Sequence, residues 1–122
     1  MHYVMLIYEG RQVIENRTPD AQHPYVAAWR AYYQSLVASG VYVFGTPLER
    51  IETATTVRLK DGKRQVQDGP YADTKEQLGG FVILDLPSLD AALEVAARCP
   101  AAAYGAVEIR PRAQIMQDVI EA

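Results

Sequence analysis

The chain has one cysteine, two histidines and little net charge in 122 residues. A single cysteine excludes an internal disulfide. Cys99 falls on the apolar pattern of an expected helix, where a free cysteine acts as a small hydrophobe. His2 and His23 lie far apart, with no Cys or His partner at metal-ligand spacing, which argues against zinc-type chemistry. Twelve basic residues against fifteen acidic give a net charge of −3. A dedicated nucleic-acid binder needs clustered positive charge, so no nucleic-acid partner is expected. The local cluster Arg58, Lys60, Lys63 and Arg64 flanks an Asp-Gly pair and reads as a solvated hairpin tip. Long hydrophobic runs are missing too. The opening MHYVMLIYEG has no basic lead, and its apolar run is too short for a signal peptide or a membrane span. A cytoplasmic protein with no membrane partner is expected. There is no Ser-His-Asp arrangement, no Rossmann glycine pattern and no heme-ligand spacing, so no cofactor is implied.

What is present is enough for one modest core. With 49% hydrophobic and 22% charged residues, the chain reads as one globular domain over residues 1–122. Residues 2–8 are nearly all apolar or aromatic and predict a strand. Residues 9–20 hold Gly, Asn, Pro and charges and predict a loop. Pro24 suits the first turn of a helix over about 24–39, with Tyr25, Trp29 and Leu36 at helical spacing and Gly40 as its stop. VYVFG is a second strand. TTVRL and KRQVQ flank Asp61-Gly62, a strong hairpin signal. GFVILDL is a nearly continuous apolar strand. Ser88 caps a second helix, whose stripe runs from Leu89 to Cys99 and which Pro100 ends. AVEIRP is the last strand, and the tail from Ala113 predicts a short helix.

The order is β-α-β, a hairpin, then β-α-β. That predicts a ferredoxin-like α+β sandwich: an antiparallel sheet with two helices on one face, plus the hairpin. A sheet with one wet face alternates apolar and polar residues. The first strand and FVIL are apolar on both parities. Something must cover the second face, and the chain has little left to do so. A second copy, packed sheet to sheet as a homodimer, is expected.

DGPYADTKEQLGGF and CPAAAYGAVEIRP resemble the DGPF branch of the YCII-related domain family. Asp68-Gly69-Pro70-Tyr71 stands where that branch has Asp-Gly-Pro-Phe, and residues 74–80 reproduce the segment that follows. Cys99-Pro100-Ala101-Ala102, Gly105, Glu108, Arg110 and Pro111 match its C-terminal signature. The resemblance implies a ferredoxin-like fold pairing as a dimeric α/β barrel. Some members carry a His–Asp pair in a pocket and are suspected enzymes. Others lie beside sigma-factor genes and are labelled transcription-related. Where many relatives place a histidine in the first helix, this chain has Trp29.

Asp68 is the acid/base candidate, since a carboxylate beside an aromatic and a proline can have a raised pKa. Its alternative role is capping a turn. Lys75 and Glu76 could bind an anionic substrate and shuttle a proton, or form a solvated pair. Glu108 and Arg110 share a strand face, and Arg110 could clamp a substrate carboxylate or pair with Glu108 or Glu76. The loop over residues 68–78 is expected to return its charges toward that last strand. Tyr8, Trp29 and Tyr71, among an unusual number of aromatics, could line a pocket for a small anionic or aromatic ligand, or build core and interface. Gly79-Gly80 predict close backbone approach or a bulge. Two functions follow: a cofactor-independent small-molecule enzyme of lyase or isomerase type, or a non-catalytic dimeric binding or regulatory module.

Overall fold

The strand β1 (His2–Gly10) is the centre of the fold. In the computed structural model, which describes residues 1–122, it pairs antiparallel with β5 (Glu76–Asp85) on one side and β6 (Gly105–Pro111) on the other. The strand β2 (Tyr42–Pro47) pairs with the outer side of β5, so the sheet order is β2-β5-β1-β6. Tyr3, Met5, Ile7 and Glu9 of β1 are buried, while the residues between them are partly exposed. The buried parity meets two helices, α2 (Pro24–Ala38) and α3 (Leu89–Ala97), and together with Val82, Leu84 and Leu86 they form the core. This is the expected ferredoxin-like sandwich.

Both helices start as the sequence predicts. Pro24 opens α2, and Nδ1 of His23 accepts the Tyr25 N–H at 3.3 Å. Ser88 accepts the Ala91 N–H at 3.2 Å and caps α3. The two helices are joined where the Tyr32 hydroxyl donates to the Val95 carbonyl at 2.7 Å. Helix α3 ends at Ala97, so Cys99 lies just beyond it rather than on its stripe, and Pro100 opens a 3-10 turn, Pro100–Ala103. Cys99 is buried all the same, and burial pushes its thiol up to about 11.

The hairpin strands β3 (Thr55–Lys60) and β4 (Lys63–Asp68) form a sheet of their own. Asp61 at φ 53° and Gly62 at φ 74° make the tight turn that the Asp-Gly pair predicts. Two expectations change. Residues 9–20 are not all loop: α1 (Arg11–Glu15) forms there because Ile14 reaches the interior and Arg11 pairs with Glu15 one turn on, at 3.0 Å. Strand β5 begins at Glu76, ahead of the apolar run, because Glu76 and Gln77 pair with Gly10 and Glu9. A last helix, α4 (Gln114–Glu121), follows β6. The face of the sheet away from the helices carries Val4, Leu6 and Tyr8 beside Leu78, Phe81 and Ile83, with Phe44 at one edge and Glu108 and Arg110 at the other. No element of the chain covers it.

Candidate functional site

A cleft of about 1390 Å³ lies between α2 and the sheet, open on one side. The alternation that sends Tyr3, Met5 and Ile7 into the core also sends in Glu9, which is only 3% exposed. A buried carboxylate is costly unless it is hydrogen-bonded. Here the Tyr25 hydroxyl donates to Oε2 at 2.5 Å, and Nη2 of Arg17 stands 3.1 Å from Oε1. Arg17 also donates to the Gly79 carbonyl at 2.9 Å and to the Leu48 carbonyl, tying the ends of β2 and β5 to the carboxylate. Burial, then the hydrogen bond to Glu9, raises the Tyr25 pKa, so its hydroxyl keeps its proton. No buried side-chain polar atom is left without a partner.

Aromatic rings form the wall. Trp29 meets Tyr25 edge to face at 6.5 Å and Tyr32 at 5.8 Å, and Tyr104 meets Tyr25 at 5.5 Å. Gly79 makes the carboxylate's position possible. A Cβ there would run into Oε1 of Glu9 and sit 3.0 Å from Nη2 of Arg17. Gly80 passes close to the neighbouring strand, where a Cβ would lie 2.8 Å from the Thr46 carbonyl oxygen. The glycine pair makes a close backbone approach, and Gly79, skipped between the Ile7–Gly80 and Tyr8–Leu78 pairs, also forms a bulge, the two alternatives its sequence offers. The structure gathers no three His, Cys, Asp or Glu side chains that could hold a metal ion.

Of the residues singled out in the sequence, Trp29 lines the cleft. Tyr8 points to the opposite, uncovered face. Asp68 is the exposed last residue of β4. Gly69 follows at φ 102°, and its N–H closes on the Ala54 carbonyl at 2.8 Å, so Asp-Gly-Pro carries the chain out of the hairpin. Tyr71 is exposed, with the Arg58 guanidinium 5.3 Å above its ring. Lys75 and Glu76 are exposed as well. Glu108 and Arg110 pair on the uncovered face at 2.5 Å, which holds Arg110 still more firmly protonated. Glu76 sits opposite Gly10 and Arg110 opposite Val4, about 20 Å apart along β1. Glu108, opposite Leu6, is about 13 Å along β1 from Glu76, so the loop brings Glu76 to neither Glu108 nor Arg110.

Glu9, Arg17 and Tyr25 were not among the sequence candidates. One signal was available: Glu9 continues the parity of Tyr3, Met5 and Ile7, so a carboxylate falls on the buried side of an apolar strand.

Fold and cleft together define a class: a ferredoxin-like α+β sandwich with an aromatic-walled cleft and a buried carboxylate beneath its long helix. Residues 1–115 match the model of the YCII-related domain. An uncharacterized protein of Rhizobium meliloti (strain 1021) is 33% identical over 115 residues, covering 93% of each chain. The chain belongs to the YCII-related domain family. Among solved structures, the 5-chloro-2-hydroxyhydroquinone dehydrochlorinase of Burkholderia phenoliruptrix AC1100, in complex with 2,5-dihydroxybenzoquinone, is similar at 18% identity and a TM-score of 0.49. That alignment covers 91% of this chain and 92% of the other. No helix is long and apolar enough to cross a membrane.

Proposed function

We propose that the protein is a small-molecule enzyme of lyase or isomerase type, with Glu9 as its proton-transferring group. The carrying observation is a carboxylate, 3% exposed, at an aromatic-walled cleft, held by one cation and one phenol. Nη2 of Arg17, 3.1 Å from Oε1, sets a positive charge against the carboxylate. Glu9 takes a proton from a substrate carbon or hydroxyl, and the electron pair left behind moves into an adjacent carbonyl or expels a leaving group. The proton then returns to product or solvent. The Tyr25 hydroxyl fixes Oε2 and Arg17 fixes Oε1, and each oxygen keeps a further lone pair for a substrate proton. Trp29 and Tyr104 give a flat ligand apolar surface to pack against. This reading puts the chemistry at Glu9 rather than Asp68, whose carboxylate is exposed at the hairpin's end.

The test starts from a thermal-shift screen of hydroxylated aromatic and lactone compounds, since a ligand that binds only the folded state raises the melting temperature. On any compound turned over, Glu9→Gln should lower the rate by about 10²-fold or more, while Asp68→Asn leaves it nearly unchanged. The opposite result moves the chemistry to Asp68. Ligands that bind but are never converted favour a binding module.

The same reading includes a homodimer. The uncovered face holds seven apolar side chains from three strands, including Phe44, which is 54% exposed. Isolated soluble domains rarely leave such a contiguous patch in water. A two-fold contact between identical faces would cover it and close on itself.

A further inference from the structure

We infer that the ligand of the cleft is an aromatic carboxylate, its acidic group held by Arg30 on the β2 side while its reacting group stands at Glu9. This rests on the small-molecule reading of the preceding section and names the class of compound. The chain as a whole is acidic, at −3. The walls of its cleft are not. Glu9 is the only acid among the lining residues, against Arg17, Arg30 and Arg98. Arg17 stands against Glu9, so that pair adds no net charge. The other two guanidiniums are exposed and remain as an excess of positive charge at the rim. Such a cleft draws anions in from solution.

Position decides between the two. Val26, Arg30 and Tyr33 recur at helical spacing, so they share one side of α2. That side faces β2, because the Tyr33 ring meets Tyr42 edge to face at 5.0 Å. Tyr42 and Thr46 line the cleft opposite them. Arg17 closes the same side at its end, through the carbonyls of Leu48, just after β2, and Gly79 of β5. Arg98 instead follows α3, where the Tyr32 hydroxyl reaches the Val95 carbonyl. Tyr32 lies about 160° round α2 from Arg30, so Arg98 stands on the other side of the helix.

The spacing suits one ring. Arg30 follows Tyr25, which holds Glu9, by five residues, so the two stand about 7.5 Å apart along the helix axis. A benzene ring with a hydroxyl near Glu9 and a carboxylate at Arg30 spans that gap. Arg30 is free to take it, since it enters none of the chain's ion pairs. A guanidinium offers a carboxylate two parallel N–H donors, a match that an uncharged amide does not make. Arg110, the sequence's candidate for such a clamp, already holds Glu108 on the uncovered face.

The probes are the isomeric monohydroxybenzoates and the matching hydroxybenzamides, which keep the shape and lose the charge. Trp29 is the chain's one tryptophan and lines the cleft. Its indole N–H signal in a nitrogen–proton correlation spectrum therefore reports binding there and not on the uncovered sheet face. At least one hydroxybenzoate should bind about tenfold or more tightly than its amide, the usual worth of a hydrogen bond to a charged group. Arg30→Gln should abolish that preference and leave the amide's dissociation constant unchanged, while Arg98→Gln keeps the preference. Equal affinities, no binding by any of the benzoates, a preference that survives Arg30→Gln, or one lost equally in Arg98→Gln overturns the inference. Turnover, tested separately with Glu9→Gln, decides the enzyme reading. Preferential binding of the benzoate with no compound ever converted sinks that reading and leaves this inference standing.

Discussion

At the scale of single residues, the site depends on what Gly79 lacks. Its missing Cβ is the space that Oε1 of Glu9 occupies beside Arg17. Gly79→Ala forces the carboxylate, Arg17 or the strand to move. Over-packing of this kind typically costs about 1–3 kcal/mol. Chemical denaturation should show a loss in that range, and ligands found by thermal shift should bind more weakly. A variant of full stability and unchanged ligand affinity would mean that the carboxylate does not need that space. Glu9 itself was hard to pick out in the sequence, because one acid ending an apolar strand resembles a strand terminus. Its meaning comes from Arg17 and Tyr25, which the fold brings in from eight and sixteen residues away.

At the scale of elements, local chemistry was legible and tertiary choice was not. The Asp61-Gly62 turn, the Ser88 cap and the Pro24 helix start each rest on a few adjacent residues, and each stands where expected. The five-residue helix α1 and the polar start of β5 depend on partners distant in sequence, so local pattern hid them. The junction of α2 and α3 carries a pH signature. Burial raises the pKa of Tyr32 there and takes the nearby Cys99 thiol from 9.0 to about 11. Both groups therefore hold their protons more tightly folded than unfolded. The stability Cys99 contributes is whole below pH 9 and is lost as pH rises through 11, while the loss from Tyr32 begins near pH 10 and continues above 11. Melting temperatures should fall between pH 9 and 11, and Cys99→Ala should flatten part of that fall. A level profile to pH 11 would show that the junction does not exclude water.

At the scale of the whole molecule, the uncovered sheet face predicts assembly. Light scattering at micromolar concentration should report about twice the 13.6 kDa chain mass, and Phe44→Asp, at an exposed position on that face, should return it to one chain mass. A wild-type monomer would show that the apolar face is stable in water. The sheet order β2-β5-β1-β6 also bears on how the chain is made. The strand that leaves the ribosome first is the central one, and its partners start at Glu76 and Gly105. At about 5–20 residues per second, β1 waits about 5–20 s for its second neighbour. Until β5 emerges the most apolar segment of the nascent chain has no strand to pair with, and until β6 emerges one of its edges stays open, so the step most open to chaperone capture, or to misassembly between neighbouring ribosomes, comes before the last strand is synthesised.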